Sequence, residues 1–144
     1  MIIVDTNVLS EAIRPLPAGA VLEWMAAQPP SSLFTTAITQ AEILYGLAWM
    51  PKGKRHGDLE SAAIAMFDED FAGRILPFDS DAARVFAAIA RVRRRIGRPM
   101  TQADAQIAAI ARSRGAALAT RNTADFEHCG IEVLNPWEWR SPSE

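Results

Sequence analysis

The chain has 144 residues, of which 49% are hydrophobic and 22% charged, and its formal net charge is −2. Those values fit one folded domain with a buried core, and they exclude binding of nucleic acid through bulk charge, leaving only local patches for that role. No apolar run reaches the roughly 18 residues of a membrane span, no signal peptide is expected ahead of the first strand, and the single cysteine, Cys129, rules out an internal disulfide framework.

In chain order, residues 2–4 form an apolar run that reads as a buried strand, and residues 6–13 read as a short helix halted before Pro15. Residues 17–28 carry Val21, Leu22, Trp24 and Met25 and read as a helix ended by Pro29 and Pro30. Residues 32–36 read as a second strand. Over 38–50, Ile38, Ala41, Leu44, Tyr45 and Ala48 fall at helical spacing, and 59–71 reads as a further helix. Residues 74–77 are strand-like. The segments 79–95 and 101–113 read as amphipathic helices, the second closed by Gly115. Residues 116–119 and 131–134 complete the strands. The stretches 53–57 and 141–144 are expected to be mobile. With no repeat and no linker, residues 1–140 are expected to form one domain, and 141–144 a short tail. Trp24, Tyr45, Trp49, Phe67 and Phe86 are expected to pack in the core or face a second copy. Trp137 and Trp139 either pack on the sheet or meet a partner. Cys129 is expected to be a reduced thiol without a chemical role.

Strands alternating with helices imply a parallel sheet covered on both faces, and in such sheets sites form at the carboxyl ends of the strands. Asp5 follows the first strand. In ITQAEI, residues 38–43, Thr39 precedes Glu42 by three, and in MTQADAQIAAIA, residues 100–111, Thr101 precedes Asp104 by three. Each pair has the spacing of a capping box, so each acid taken alone reads first as a first-turn cap and only in combination as a site carboxylate. Asp5 could likewise simply cap the helix at Thr6. In LATRNTADF, residues 118–126, Asn122 and Asp125 follow the apolar strand in a loop that could be only a turn.

Taken together, these segments resemble those of PIN-domain ribonucleases, and among them the VapC and FitB-type toxins of type II toxin–antitoxin pairs. The resemblance is carried by IIVDTNVLSE at 2–11, TTAITQAEILYGL at 35–47, GRPMTQADAQIAAIA at 97–111, LATRNTADF at 118–126 and IEVLNPWEW at 131–139. It implies an α/β fold, a PIN-like three-layer α/β/α arrangement with a central, mainly parallel sheet flanked by helices. It implies that Asp5, Glu42 and Asp104 are the acidic core of the active site, with Thr6, Asn7 and Thr120 beside them. For the fourth acid Asp125 is preferred, and Asn122 is the alternative. It also implies a homodimer and a small VapB/FitA-like antitoxin, which binds operator DNA and blocks the active site with its C-terminal segment.

The chemistry supports the same reading. Crowded carboxylates are costly to ionise unless a cation joins them, and hard oxygen donors suit Mg²⁺ or Mn²⁺. One or two such ions would let the chain cleave RNA phosphodiesters with metal-activated water. His56 and His128 have no partner at zinc spacing and read as surface residues. IARVRRRIGRPM, residues 89–100, supplies Arg91, Arg93, Arg94, Arg95 and Arg98, and Arg94, Arg95 and Arg98 are taken as the RNA-binding lip. A catalytically silent relative that binds RNA or a partner is the alternative. A phosphatase with an aspartyl nucleophile would want a second acid where Asn7 stands. The chain is expected in the cytoplasm.

Overall fold

The computed structural model describes residues 1–142. Five parallel strands form one sheet in the order β3-β2-β1-β4-β5. They are β1 Ile2–Val4, β2 Leu33–Thr36, β3 Ile75–Leu76, β4 Ala117–Ala119 and β5 Val133–Leu134. β1 lies at the centre, with Ile3 opposite Phe34 on one side and Leu118 on the other. Side chains alternate across a strand. Ile3 and Leu118 accordingly join one core, and Val4 and Ala119 the other.

The first core is closed by α5 (Ser80–Arg95) and α6 (Gln102–Ser113), which contribute Ala82, Ile89, Ile107 and Ile110. The second is closed by α1 (Thr6–Ala12), α2 (Gly19–Ala27), α3 (Ala37–Ala48) and α4 (Lys54–Ala65), through Val8, Val21, Trp24, Ile43, Leu47 and Ala63. This is the expected α/β/α sandwich, and the sheet is wholly parallel. No helix among the described residues is long and apolar enough to cross a membrane.

The strand order has a mechanical consequence. From β1 the chain winds outward through β2 to β3, then crosses back to β4 and β5 on the other side. Between β1 and β4 the winding reverses: α1 after β1 packs Val8 into the second core, while the turn after β4 packs Phe126 into the first. That reversal opens a crevice at the carboxyl edge, the place where open parallel sheets bind ligands.

Several local expectations need correction. Thr39 does not cap α3. Thr36 does, with its hydroxyl accepting the Thr39 N–H at 3.0 Å, because the extended end of β2 runs straight into the helix. Glu42 therefore stands in the second turn and belongs to no capping box. Thr101 caps α6 as expected, accepting the Asp104 N–H at 3.1 Å. The stretch 53–57 is largely the start of α4, which ends in one π-helical turn, Met66–Asp70. His56 consequently sits half-buried on that helix, 3.6 Å from Glu60, and is less exposed than the surface residue expected. Tyr45 and Trp49 are 67% and 74% exposed and take no part in the core. Trp137 and Trp139 pack against the second core. Cys129 is buried, and burial pushes its thiol up, so the thiolate is disfavoured. Of the expected tail, Ser143 and Glu144 lie outside the described residues.

Candidate active site

β1 delivers Asp5 to the crevice. Its N–H donates to the Ala119 carbonyl at 2.9 Å, continuing the β1–β4 ladder by one residue. The side chain is then held at both oxygens. Oδ1 accepts the Thr6 N–H at 2.8 Å, and Oδ2 accepts the Thr120 hydroxyl at 2.8 Å. Asp5 thus caps α1 and lines the cleft at once. It is only 4% exposed. Burial pushes its pKa up to about 6, the two hydrogen bonds hold it down in part, and the nearby Asp104 and Glu42 charges push it up further.

Around Asp5 a chain of short hydrogen bonds orders the neighbouring residues. The Thr120 hydroxyl accepts from Asn7 Nδ2 at 3.1 Å and from the Asn122 N–H at 3.2 Å. Asn7 Oδ1 accepts the Arg121 N–H at 3.2 Å. The Thr6 hydroxyl donates to Glu42 Oε1 at 2.8 Å and lies 3.0 Å from the Thr39 hydroxyl. One threonine on α1 therefore aims a carboxylate that comes from α3. Asp104, in the first turn of α6, is half-buried. Burial pushes its pKa up, as do Asp125 and Glu42, while the bond with Thr101 and the Arg93 charge pull it down.

Asp5, Glu42, Asp104, Thr6, Asn7 and Asn122 all line one cleft of about 510 Å³. Thr120 is fully buried beneath it. Asp125 sits on the exposed helical turn Thr123–Phe126, outside that lining but close enough to act electrostatically on Asp104. A larger groove of about 610 Å³, between Ile13, Met25, Met66 and Phe71, is mainly apolar and holds no group of carboxylates. The polar cleft is where chemistry is possible.

The cations of the cleft differ from those expected. Its lining includes Arg14 and Arg121, whereas Arg94, Arg95 and Arg98 are absent from it. Arg93 is 4% exposed and acts as a strut, its Nε donating to the Arg98 carbonyl and its Nη1 to the Glu127 carbonyl, both at 2.7 Å. Arg98 holds the Glu127 carboxylate at 2.7 Å and the Ala124 carbonyl at 2.9 Å. Arg14 is paired with Glu11 at 3.0 Å, and Glu11 also accepts the Ala18 N–H at 2.9 Å, which holds its pKa below the usual range. Glu11, Arg14, Arg121 and Trp137 all line the cleft without having been singled out as site residues. Two of them carried a usable signal. Arg121 stands between Thr120 and Asn122 at a strand end, and Trp137 follows the last strand of the same sheet.

A cation fits this donor set. Carboxylates converge there with hydroxyls and amides behind them, and two of the acids, Asp5 and Asp104, are pushed toward protonation by burial first and by neighbouring carboxylates second. Hard divalent ions prefer such oxygens. Among the described residues no three acidic, histidine or cysteine side chains are gathered tightly enough to hold one ion directly.

Similarity to known proteins runs over nearly the whole chain. Residues 2–131 match the PIN domain. A VapC ribonuclease of Sinorhizobium fredii is 43% identical over 138 residues, covering 96% of this chain and 99% of that protein. Toxin FitB of Neisseria gonorrhoeae is 38% identical over 141 residues, covering 95% and 99% respectively. A solved structure of FitAB bound to DNA superposes with a TM-score of 0.89 at 36% identity, over 98% of this chain and 99% of that one.

Proposed function

The chain belongs to the PIN-domain family of VapC and FitB toxins, and on that premise we propose that it is a metal-dependent endoribonuclease, the toxin of a type II toxin–antitoxin pair. The observation that carries the proposal is the meeting of Asp5, Glu42 and Asp104, from three separate elements, in one cleft at the winding reversal of the sheet. Asp5, Glu42 and Asp104 would hold Mg²⁺ or Mn²⁺, with Asp125 as the fourth acid and Asn122 as its alternative. A divalent ion held there would neutralise the carboxylates, orient an RNA phosphate and make water acidic enough to attack phosphorus.

The chain's own residues prepare the site. Thr6 fixes the rotamer of Glu42 by its hydrogen bond. Thr120 and the Thr6 N–H keep Asp5 in one orientation and favour its charged form. Asn7 ties α1 to the loop after β4, so the two sides of the crevice keep their spacing. Arg94, Arg95 and Arg98 are retained as outer RNA-binding residues, with Arg98 the least available because it already holds Glu127. The partners proposed are RNA, a small VapB/FitA-like antitoxin that binds operator DNA, and a second copy of the chain. The proposed location is the cytoplasm, and residues 1–140 form the single nuclease domain.

Incubating the purified protein with total RNA, with Mg²⁺ and with a chelator, tests this reading. RNA fragments that appear only with Mg²⁺ are expected. Intact RNA under both conditions, from folded protein free of antitoxin, would instead mark a silent relative that only binds.

A further inference from the structure

An acidic cleft that must accept a polyanion needs at least one cation that is not already spent on the protein. Arg93 is buried, Arg98 is bound to Glu127, and Arg14 is bound to Glu11. Arg121 differs from all three. It lines the cleft and is exposed, and among the described residues it has no carboxylate within ion-pairing distance. Its guanidinium carbon lies 5.0 Å from the centre of the Trp137 ring. A guanidinium over an aromatic face is held by the ring's quadrupole without spending its N–H donors, which remain open to a phosphate.

Both halves of that cation–π pair are tied down. The Arg121 N–H is held by Asn7, on the same hydrogen-bonded chain that reaches Asp5 through Thr120. Trp137 is the middle residue of the short helical turn Pro136–Glu138, and its N–H donates to Asn135 Oδ1 at 3.0 Å. Its ring also packs on the second core. We infer that Arg121 binds a backbone phosphate of the RNA at the mouth of the cleft, and that Trp137 is the positioning residue that holds the guanidinium there. This inference rests on the ribonuclease reading.

The test measures binding of single-stranded RNA at several salt concentrations, with Mg²⁺ present. All proteins carry Glu42→Gln, so that the RNA is not consumed. Melting temperatures are recorded alongside. Arg121→Ala should weaken binding about tenfold, the usual effect of removing a charge-assisted hydrogen bond. The slope of log affinity against log salt should flatten by about 0.7, the share of one released counterion. Arg121→Lys should keep the slope while giving up part of the affinity. Trp137→Leu should weaken binding about threefold, the worth of the cation–π interaction, and Trp137→Phe should restore most of it. The double variant Arg121→Ala/Trp137→Leu should bind no worse than Arg121→Ala alone, because the two act as one unit. Unchanged affinity and slope in Arg121→Ala, when the parent chain cuts RNA, would overturn the phosphate interaction and leave the ribonuclease standing. Additive effects in the double variant would overturn the positioning role. A parent chain that neither cuts nor binds RNA would remove the ribonuclease reading, and the inference with it.

Discussion

Asp5 must be anionic to hold a cation, yet it occupies a place with almost no water. Its pKa of about 6 against an ordinary value of 3.8 expresses that conflict. A carboxylate with a raised folded-state value binds protons more tightly when folded. Its favourable contribution is complete below 3.8 and is lost as pH rises through about 6. Metal-free wild type should therefore lose stability relative to Asp5→Asn across that window, by about 3 kcal/mol in all. Thermal melts of both proteins at a series of pH values measure the gap. A gap that stays constant from about pH 4 to pH 7 would show that Asp5 carries no such burden. Added Mg²⁺ should close the gap by stabilising wild type only. The fourth position is a second residue-scale question. Asp125 acts on Asp104 through charge, while Asn122 lines the cleft with a neutral amide. A carboxylate holds a hard cation better than an amide oxygen does, so Asp125→Ala should reduce cleavage more than Asn122→Ala. The reverse order, in folded proteins, transfers the role to Asn122.

At the scale of elements, sequence periodicity located the five strands and, with shifted bounds, the six α-helices, and the misplacements have identifiable causes. In TTAIT, residues 35–39, three threonines offer themselves as caps, and only the pairing of β2 with β1 and β3 decides that extended structure persists through Thr36. Arg93 looks no different in sequence from Arg94 or Arg95. Its burial follows from the loop that folds over the end of α5, where backbone carbonyls satisfy it. These arginines should therefore separate by experiment. Arg94→Ala/Arg95→Ala should flatten the salt dependence of RNA binding by about 0.7 for each phosphate left without its arginine. Arg98→Ala should mainly loosen the Thr123–Phe126 turn, because it removes the hold on Ala124 and Glu127. An ion pair this exposed contributes little to stability, so the defect should appear in activity through Asp125 more than in the melting temperature. On α3, Trp49→Ala should change the monomer's stability by about 0.5 kcal/mol or less, as an exposed side chain does. A fall in oligomeric mass in the same variant would place the second copy on that face.

For the whole molecule, the site was legible because its logic is topological. Alternating strands and helices imply a parallel sheet, a parallel sheet has one carboxyl edge, and acids after strands or at helix starts share that edge. Asp5, Asp104 and the 120–125 loop follow from this rule. Glu42 reaches the cleft from the second turn of α3, held by Thr6, and not from the first-turn capping position its spacing from Thr39 offered. The rule does not say which residues of the edge face one another. That depends on β5 lying beside β4, a pairing set by packing over the whole chain, and it is what brings Trp137 to Arg121 at the cleft. Whether these carboxylates form a cation-dependent nuclease centre is decided by cleavage of one defined single-stranded RNA. Wild type, Asp5→Asn, Glu42→Gln and Asp104→Asn are each assayed with Mg²⁺ and with a chelator. Wild type should cut with Mg²⁺ alone, and no folded variant should cut at all; cutting by a variant at the wild-type rate, or undiminished cutting in chelator, would contradict such a centre.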